Sequence, residues 1–476
     1  MKRYIYAILS LGALLMVESA SAQIKSSYFM EGSYFRNDLN PALRPTRGYL
    51  VLPGISGVGV GISGNMLSVD NFIFERDGGL VSALHGSVSA DDFLSRLPEL
   101  GFTSVREDIN ILGVGFYTGE NFWNFGLGFH ATEDVAISKD VFRALKRLGN
   151  GTFDLGNMAL DFNGYLDAYV GASFPIGKYV TFGAKVKFLV GVANASASFD
   201  EMSLNVNEER VDGIMQGSWR GNSVAFDGSK NNGEGGFDTI YRLDPAFILH
   251  NIKSFGAALD LGVEVSILND HLKFSAAVTD LGFIKWAPQS QVGGVVEGDF
   301  YYTGINLETS EVDAGGKIDL DKLTYLEHAK GYISYLTANL NVGVEYNFLD
   351  NHFAIGLLSH TRFHKSAIVS ELTASLNIRP TNWITLTASH TFLNRNRPGI
   401  FGAAINIHPC AINFFVGMDY IDTNLVCAGR NIEMLGGAEL FVPRYAKSLN
   451  IYAGIGFNFA RPKHLCQPSR KELKNR

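Results

Sequence analysis

The sequence predicts an all-β fold, a transmembrane antiparallel β-barrel of about 14 strands with an N-terminal plug-like segment. Three observations predict it: an export signal, stretches of roughly 9–11 residues that alternate apolar and polar side chains, and short connections that alternate with long ones. The composition agrees, because 52 of the 476 residues are glycine and charged residues make up only 18%. The formal net charge of −7 argues against a nucleic-acid partner.

Residues 1–22 have the three parts of a secretory signal peptide. Lys2 and Arg3 begin it, a mostly apolar stretch fills 4–17, and small residues at 20–22 supply the site that signal peptidase requires. A retained anchor helix is the less favoured alternative, because the apolar stretch is short and no later run reaches about 18 apolar residues. We therefore expect a cleaved signal and a location in the outer membrane of a Gram-negative bacterium.

Side chains along the predicted strands alternate with a period of two. In one clear example, Trp123, Phe125 and Leu127 share one face, while Asn124 and Gly126 share the other. The same pattern occurs at 165–174, 180–190, 257–265, 336–345 and 449–459. Strands of a soluble β-sandwich also alternate, but they usually run only about 5–6 residues. The greater length, together with an apolar face that carries no charge, favours contact with lipid.

The connections give the order of the strands. We predict strands at 48–63, 108–117, 122–133, 159–174, 179–198, 256–268, 271–286, 332–347, 352–363, 366–379, 382–393, 399–407, 411–421 and 448–459. Long polar connections are expected to be outer loops, and they are 64–107, 133–152, 200–254, 287–331 and 422–448. Segments 91–100 and 139–148 have helical patterning within two of these loops. An even number of strands predicts that both termini of the chain lie in the periplasm.

The predicted organisation has four parts. A signal peptide occupies 1–22, a periplasmic or plug segment 23–47, the barrel 48–459, and a basic periplasmic tail 460–476. The tail is interpreted as a solvated segment in preference to a docking peptide. The three cysteines, at 410, 427 and 466, are widely spaced and predict neither a zinc site nor a disulfide framework.

Ionisable residues on the polar face of the strands are expected to line the lumen. They are Asp167, Lys185, Lys187, Asp260, Glu264, Glu345, Arg362 and Glu371. One interpretation is a selectivity lining or a site for a ligand head group. The favoured interpretation is a mutually paired network that fills a narrow lumen, because buried charges require partners. No arrangement of catalytic or metal-ligating residues is visible, so the sequence predicts no enzyme, metal or cofactor.

Two short motifs carry a family resemblance. Gly454, Phe457 and Phe459 resemble the C-terminal β-signal that the barrel-assembly machinery reads, which makes this machinery an expected partner. Asn40-Pro41-Ala42 resembles the Asn-Pro-Ala box of long-chain fatty-acid-transporter-like barrels, which have 14 strands and an N-terminal plug. The whole chain most resembles a Bacteroidetes-type family of outer-membrane barrels that is known as a domain of unknown function.

This resemblance implies two functional hypotheses. The first is a plugged channel for small hydrophobic molecules. The alternative is a non-enzymatic scaffold or partner barrel in an outer-membrane secretion or surface-assembly complex. The expected partners are outer-membrane lipid, the barrel-assembly machinery, and either a hydrophobic ligand or an envelope protein.

Overall fold

A computed structural model describes residues 25–459 with several gaps. The gaps are 54–56, 67, 77–78, 148–150, 208–210, 228–243, 303–322, 326–330, 365–367, 393–399, 410, 422–424, 433–437 and 444–448. The predicted signal peptide, the basic tail and the cysteines at 410 and 466 therefore lie outside the described residues.

Most of the described chain is strand. The strands are β1 Gly48–Val51, β2 Val58–Gly64, β3 Ile73–Arg76, β4 Gly79–Ser82, β5 Leu100–Thr118, β6 Asn121–Ser138, β7 Gly151–Asp154, β8 Ala159–Ile176, β9 Val180–Val206, β10 Val211–Ser223, β11 Phe255–Ile267, β12 Leu272–Trp286, β13 Gln291–Tyr302, β14 Leu323–Tyr325, β15 Tyr332–Tyr335, β16 Ala338–Phe348, β17 Phe353–Phe363, β18 Ile368–Thr381, β19 Ile384–Phe392, β20 Ile400–Ile407, β21 Ile412–Ile421, β22 Leu425–Ile432, β23 Ala438–Pro443 and β24 Leu449–Phe459. The helices are α1 Arg36–Leu39, α2 Val69–Phe72, α3 Ala90–Ser95, α4 Lys139–Arg147 and α5 Pro245–His250, with 3₁₀ turns at Lys25–Ser27 and Pro288–Ser290.

The sheet closes on itself. Within the described residues, 14 spanning strands pair antiparallel with their neighbours, and β1–β2 and β15–β16 each form one strand with a break. The last strand closes the ring, since Phe459 of β24 pairs with Gly48 of β1 and Leu449 pairs with Ile62 of β2. The predicted fold class, a closed barrel of 14 antiparallel strands with a plug-like N-terminal segment, is confirmed.

The outside of the barrel is apolar and the inside is polar. On β9, Val186 and Phe188 point outward and are 60% and 53% exposed, whereas Lys185 and Lys187 point inward and are 1% and 8% exposed. Apolar surface in water costs about 25 cal/mol per Å². A continuous band of such side chains around a closed barrel is therefore the lipid-facing surface. Separately, none of the described helices combines the length and apolar character needed to cross a bilayer.

Several segments that the sequence analysis assigned to outer loops are in fact strands. β5 begins at Leu100 rather than 108, β9 continues to Val206 rather than 198, and β10 pairs with both β9 and β13. The predicted helix at 91–100 is shorter, since α3 ends at Ser95. The prediction failed here because it searched for an apolar face. Strand segments beyond the lipid have no such face, although their backbones continue the same ladder.

The two ends of the barrel differ. β5 meets β6, β8 meets β9, and β11 meets β12 through short turns at one end, which we call the short-turn end. The other end, the long-loop end, carries β7, β10, β13 and the hairpin of β3 and β4. In membrane barrels the short turns face the periplasm.

Residues 25–47, which we call the plug, lie inside the lumen before the chain enters β1. Glycines on the inner face of the wall leave room for it. A Cβ atom at Gly183 would collide with the backbone at Pro41, and one at Gly262 would collide with the Asn40 side chain. Glycine at these inward-facing positions therefore lets the plug approach the wall closely.

Candidate functional site

The Asn40-Pro41-Ala42 motif forms a compact turn at the centre of the plug. Asn40 is fully buried, and its Oδ1 accepts a hydrogen bond from the Ala42 amide at 2.9 Å. Its amide Nδ2 donates to the Tyr28 hydroxyl at 3.1 Å, which ties two parts of the plug together. The Pro41 carbonyl accepts from Asn37 Nδ2 at 3.0 Å and also from the Ser173 hydroxyl of β8. The motif thus folds the plug and presents a carbonyl to the wall.

Charged side chains of the plug pair with charged side chains on separate strands of the wall. Lys185 Nζ of β9 lies 2.7 Å from Asp38 Oδ1. Lys273 Nζ of β12 lies 2.7 Å from Glu31 Oε1. Lys25 pairs with Glu371 of β18. Removal of one member would leave the other as an uncompensated charge in the lumen, which is costly when the charge is buried.

A second charged cluster belongs to the wall alone. Lys187 Nζ lies 2.9 Å from Asp260 Oδ2 and 2.6 Å from Asp280 Oδ1, and Arg106 Nη2 lies 3.1 Å from Asp280 Oδ2. Asp280 is only 5% exposed, and its two carboxylate oxygens contact two different cations, Lys187 and Arg106. These contacts cross-link β5, β9, β11 and β12 within the lumen.

Sequence reasoning missed Asp280 and Arg106 as lumen residues. Arg106 fell in a segment that was expected to be loop. Asp280 sits at a bulge where the pairing of β11 with β12 shifts register, and its backbone has a φ of 60°. A bulge places two consecutive residues on one face. A search with a strict period of two therefore assigns Asp280 to the wrong face, although a bulge-tolerant search would find two polar residues in a row at Thr279 and Asp280.

The eight charged residues predicted to line the lumen all lie on the inner face of the wall. Among their partners are His130 for Asp167, at 3.2 Å, and Arg379 for Glu345, at 2.8 Å. Lys187 and Asp260 meet each other, while Lys185 and Glu371 meet the plug instead. Glu264 differs from the rest because it lines an open cavity near the short turns. Within the described residues, no group of three or more His, Cys, Asp or Glu could hold a metal ion.

The predicted assembly-signal residues lie on the closing strand β24. Gly454 is buried on the inner face, whereas Phe459 is 40% exposed on the outer face. Phe457 points the same way as Phe459 and pairs in register with Leu50 and Ile412 of the neighbouring strands. Recognition of these residues by an assembly machinery stays a prediction.

Cavities lie toward both ends of the barrel. The long-loop cavity has a volume of about 400 Å³ and is lined mainly by polar residues, among them Asp161, Asn163, Asn194, Ser198 and Arg220. The short-turn cavity has a volume of about 320 Å³ and is lined by Glu31, Arg36, Arg44, Lys178, Glu264 and Lys273. The space between plug and wall beside Lys185 and Asp38 is only about 70 Å³. The lumen is therefore wide at both ends and narrow at the level of the plug.

Glu31 lies in the plug near the short turns, outside the spanning strands. Burial alone would raise the pKa of its carboxyl group, but the positive charges of Lys273, Arg379 and Arg36 outweigh burial and hold the pKa well below its ordinary value. Asn351 also donates to Glu31 Oε2 at 3.0 Å. Glu31 is therefore a charged anchor of the plug at neutral pH.

A closed barrel with an apolar exterior and an N-terminal segment folded into its lumen defines a plugged transmembrane β-barrel. Residues 41–419 match DUF5723, a family of unknown function, and the chain belongs to this family. The expected membership of a barrel family of unknown function is thereby confirmed. None of the curated proteins matches the chain.

Solved structures of several outer-membrane barrels are similar to this chain. The toluene transporter TodX of P. putida has a TM-score of 0.37 and 10% identity, covering 90% of this chain and 94% of that one. A FadL homologue from Pseudomonas aeruginosa has a TM-score of 0.39 and 10% identity, covering 94% and 99%. The translocator domain of the autotransporter NalP from Neisseria meningitidis has a TM-score of 0.32 and 7% identity, covering 91% and 97%.

Proposed function

We propose that this protein is a plugged outer-membrane channel for small molecules, in which residues 25–47 are the movable closure. The observation that carries the proposal is the position of the plug between two cavities of about 400 and 320 Å³. Many contacts between plug and wall are polar, and exchange of such a contact for water costs only about 0.5–1.5 kcal/mol. Residues 25–47 contribute no strand to the barrel, so displacement of the plug would leave the ladder between the strands intact.

Deletion of residues 23–47 tests this proposal. We expect the shortened barrel to conduct ions in planar bilayers at a level well above that of the intact chain, because the narrow level of the lumen is removed. Deletion of residues 461–476 is the matched control, since it removes a charged segment that follows the last described strand in the sequence and should leave the conductance unchanged. Equal conductance of the 23–47 deletion and the intact chain would contradict the proposal.

The cargo of the channel is proposed to be amphipathic. The resemblance noted above implies a hydrophobic molecule, whereas the long-loop cavity offers Asn163, Asn194 and Arg220 as hydrogen-bonding groups. Arg220 already stacks on the ring of Tyr332, with 4.9 Å between the guanidinium carbon and the ring centroid. A polar head group in this cavity and an apolar body would satisfy both observations. Binding of a series of compounds with one alkyl chain and different head groups would measure the contribution of the head group.

A second candidate function is a scaffold for another envelope protein. It is favoured by β9, β10 and β13, which continue as a paired sheet at the long-loop end and offer a surface for a partner. Purification from outer membranes in mild detergent, followed by mass spectrometry, separates the two functions. A barrel that elutes with a lipid-like molecule supports the channel, whereas a protein partner in equal amount supports the scaffold.

A further inference from the structure

The short-turn cavity is a chamber shared by plug and wall. The plug contributes Glu31, Arg36 and Arg44, and the wall contributes Glu264 and Lys273. Most of these charges have partners. Lys273 pairs with Glu31 at 2.7 Å, and Arg44 Nη1 donates to the Glu120 carbonyl at 2.8 Å. Arg36 of the plug and Glu264 of the wall have no such direct partner in the described part of the chain.

The first of these is the guanidinium of Arg36. Arg36 is only 4% exposed, yet its guanidinium makes no hydrogen bond or ion pair with any part of the chain that the structure describes. Its Nε is fully enclosed without a partner. A buried guanidinium whose N–H groups find no acceptor is unfavourable, unless a molecule in the adjoining cavity supplies the missing acceptors.

The second is the carboxylate of Glu264. It belongs to β11, and its side chain also lines the chamber. The other acids there are engaged, since Glu31 contacts Lys273 and Asp270 accepts from Ser266. Within the described ranges Glu264 forms no ion pair. Arg36 and Glu264 thus present opposite charges to the same space, and neither has a direct ion pair within the described residues.

We propose that the short-turn cavity binds a small zwitterion with an α-carboxylate and an α-ammonium group, as in a free amino acid or a short peptide. The planar fork of Arg36 suits a carboxylate, and Glu264 suits an ammonium group. A simple anion would satisfy Arg36 but would meet the negative charge of Glu264. The volume of about 320 Å³ lies within the range of small-molecule sites, about 300–1,000 Å³.

The site is complete only while the plug is in place. Arg36 belongs to the plug and Glu264 to the wall, so the zwitterion bridges the two. A ligand that binds only one state stabilises that state. Binding therefore favours the closed form, and a periplasmic amino compound would act as a signal that keeps the barrel shut. The binding step itself does not depend on whether the barrel is a channel.

Calorimetric titration of the purified full chain tests the proposal. The probes are L-alanine and L-alanyl-L-alanine, with acetate and ethylammonium as ligands that carry only one of the two charges. We expect at least one zwitterion to bind at least tenfold more tightly than either single-charge ligand. The better of the two zwitterions distinguishes an amino acid from a peptide.

Two variants locate the site. Arg36→Gln and Glu264→Gln should each weaken the zwitterion at least tenfold, while Arg143→Gln, on α4 and outside both cavities, should leave its affinity unchanged. Arg36→Gln alters the plug and could prevent its folding. In that case Glu264→Gln, on the wall, provides the test. Zwitterion affinity no better than that of acetate, or unchanged in Glu264→Gln, would overturn the proposal. The 23–47 deletion tests the channel separately, so either idea can fail without the other.

Discussion

The plug is held in the lumen by two kinds of contact that respond differently to water. An aromatic contact joins Tyr34 and Phe35 to the wall, with 4.2 Å between the ring centroids of Phe35 and Phe415 and 4.9 Å between those of Tyr34 and Tyr49. Ionic contacts join Asp38 to Lys185 and Glu31 to a second lysine. Apolar contacts persist when water surrounds them, whereas ion pairs weaken steeply as the local dielectric constant rises. Water that enters from either cavity should therefore loosen the ionic contacts first, while the aromatic contact retains the plug.

The largest expected effect on plug binding comes from removal of the aromatic contact. Phe35→Ala should weaken plug binding by about 3–5 kcal/mol, the usual cost of truncating a buried phenylalanine. We expect frequent opening events in single-channel recordings. Phe74→Ala is the matched control, because Phe74 is 2% exposed in a separate apolar cluster at the long-loop end. It should lower the melting temperature without opening the barrel, and open events in both variants would show that general destabilisation suffices.

A smaller effect is expected from the ionic contact. Asp38→Asn should weaken plug binding by about 1–2 kcal/mol, less than a fully buried pair would cost, because the Asp38 side chain is 38% exposed. Lys185→Met in the same chain should restore part of the loss, since it removes the buried ammonium group that lost its partner. Opening frequencies of the two single variants and the double variant measure this coupling, and simple additivity would show that the pair does not couple plug and wall.

The smallest effect within the ordinary pH range concerns Glu31. Its pKa is held below the ordinary value of 4.5, so its contribution to plug binding is fully present above that pH and is lost as the pH falls toward the lowered pKa. We expect conductance to rise on acidification below about pH 4.5 in the intact chain. Glu31→Gln should conduct more at neutral pH and should lose this acid response. A pH profile that is identical in both chains would assign the response to another group.

The strands of the wall were predictable from the sequence because the environment of their side chains alternates regularly. Lipid on one side and a polar lumen on the other impose a period of two, so the alternation around Trp123 and Asn124 is enough to orient a strand. A bulge breaks the period, which is why Asp280 was missed. The plug has no period, and its position came only from a motif at Asn40. The partners of Lys25 and Glu31 could not be predicted, since contacts of an irregular segment depend on the closed barrel around it.

The hydrogen bond from the Lys25 amide to Asp419 spans 394 residues of sequence, at a distance of 3.1 Å. The plug is thus synthesised first but acquires partners on β21 only after nearly the whole chain has been made. Contacts between such distant segments form late, because the entropy of closing the intervening loop must be overcome first. Closure of the ring also joins distant segments, since Gly48 of β1 pairs with Phe459 of β24. Seating of the plug and closure of the barrel are therefore both expected at the end of biogenesis, and the inner charges should exchange water for each other only at that stage.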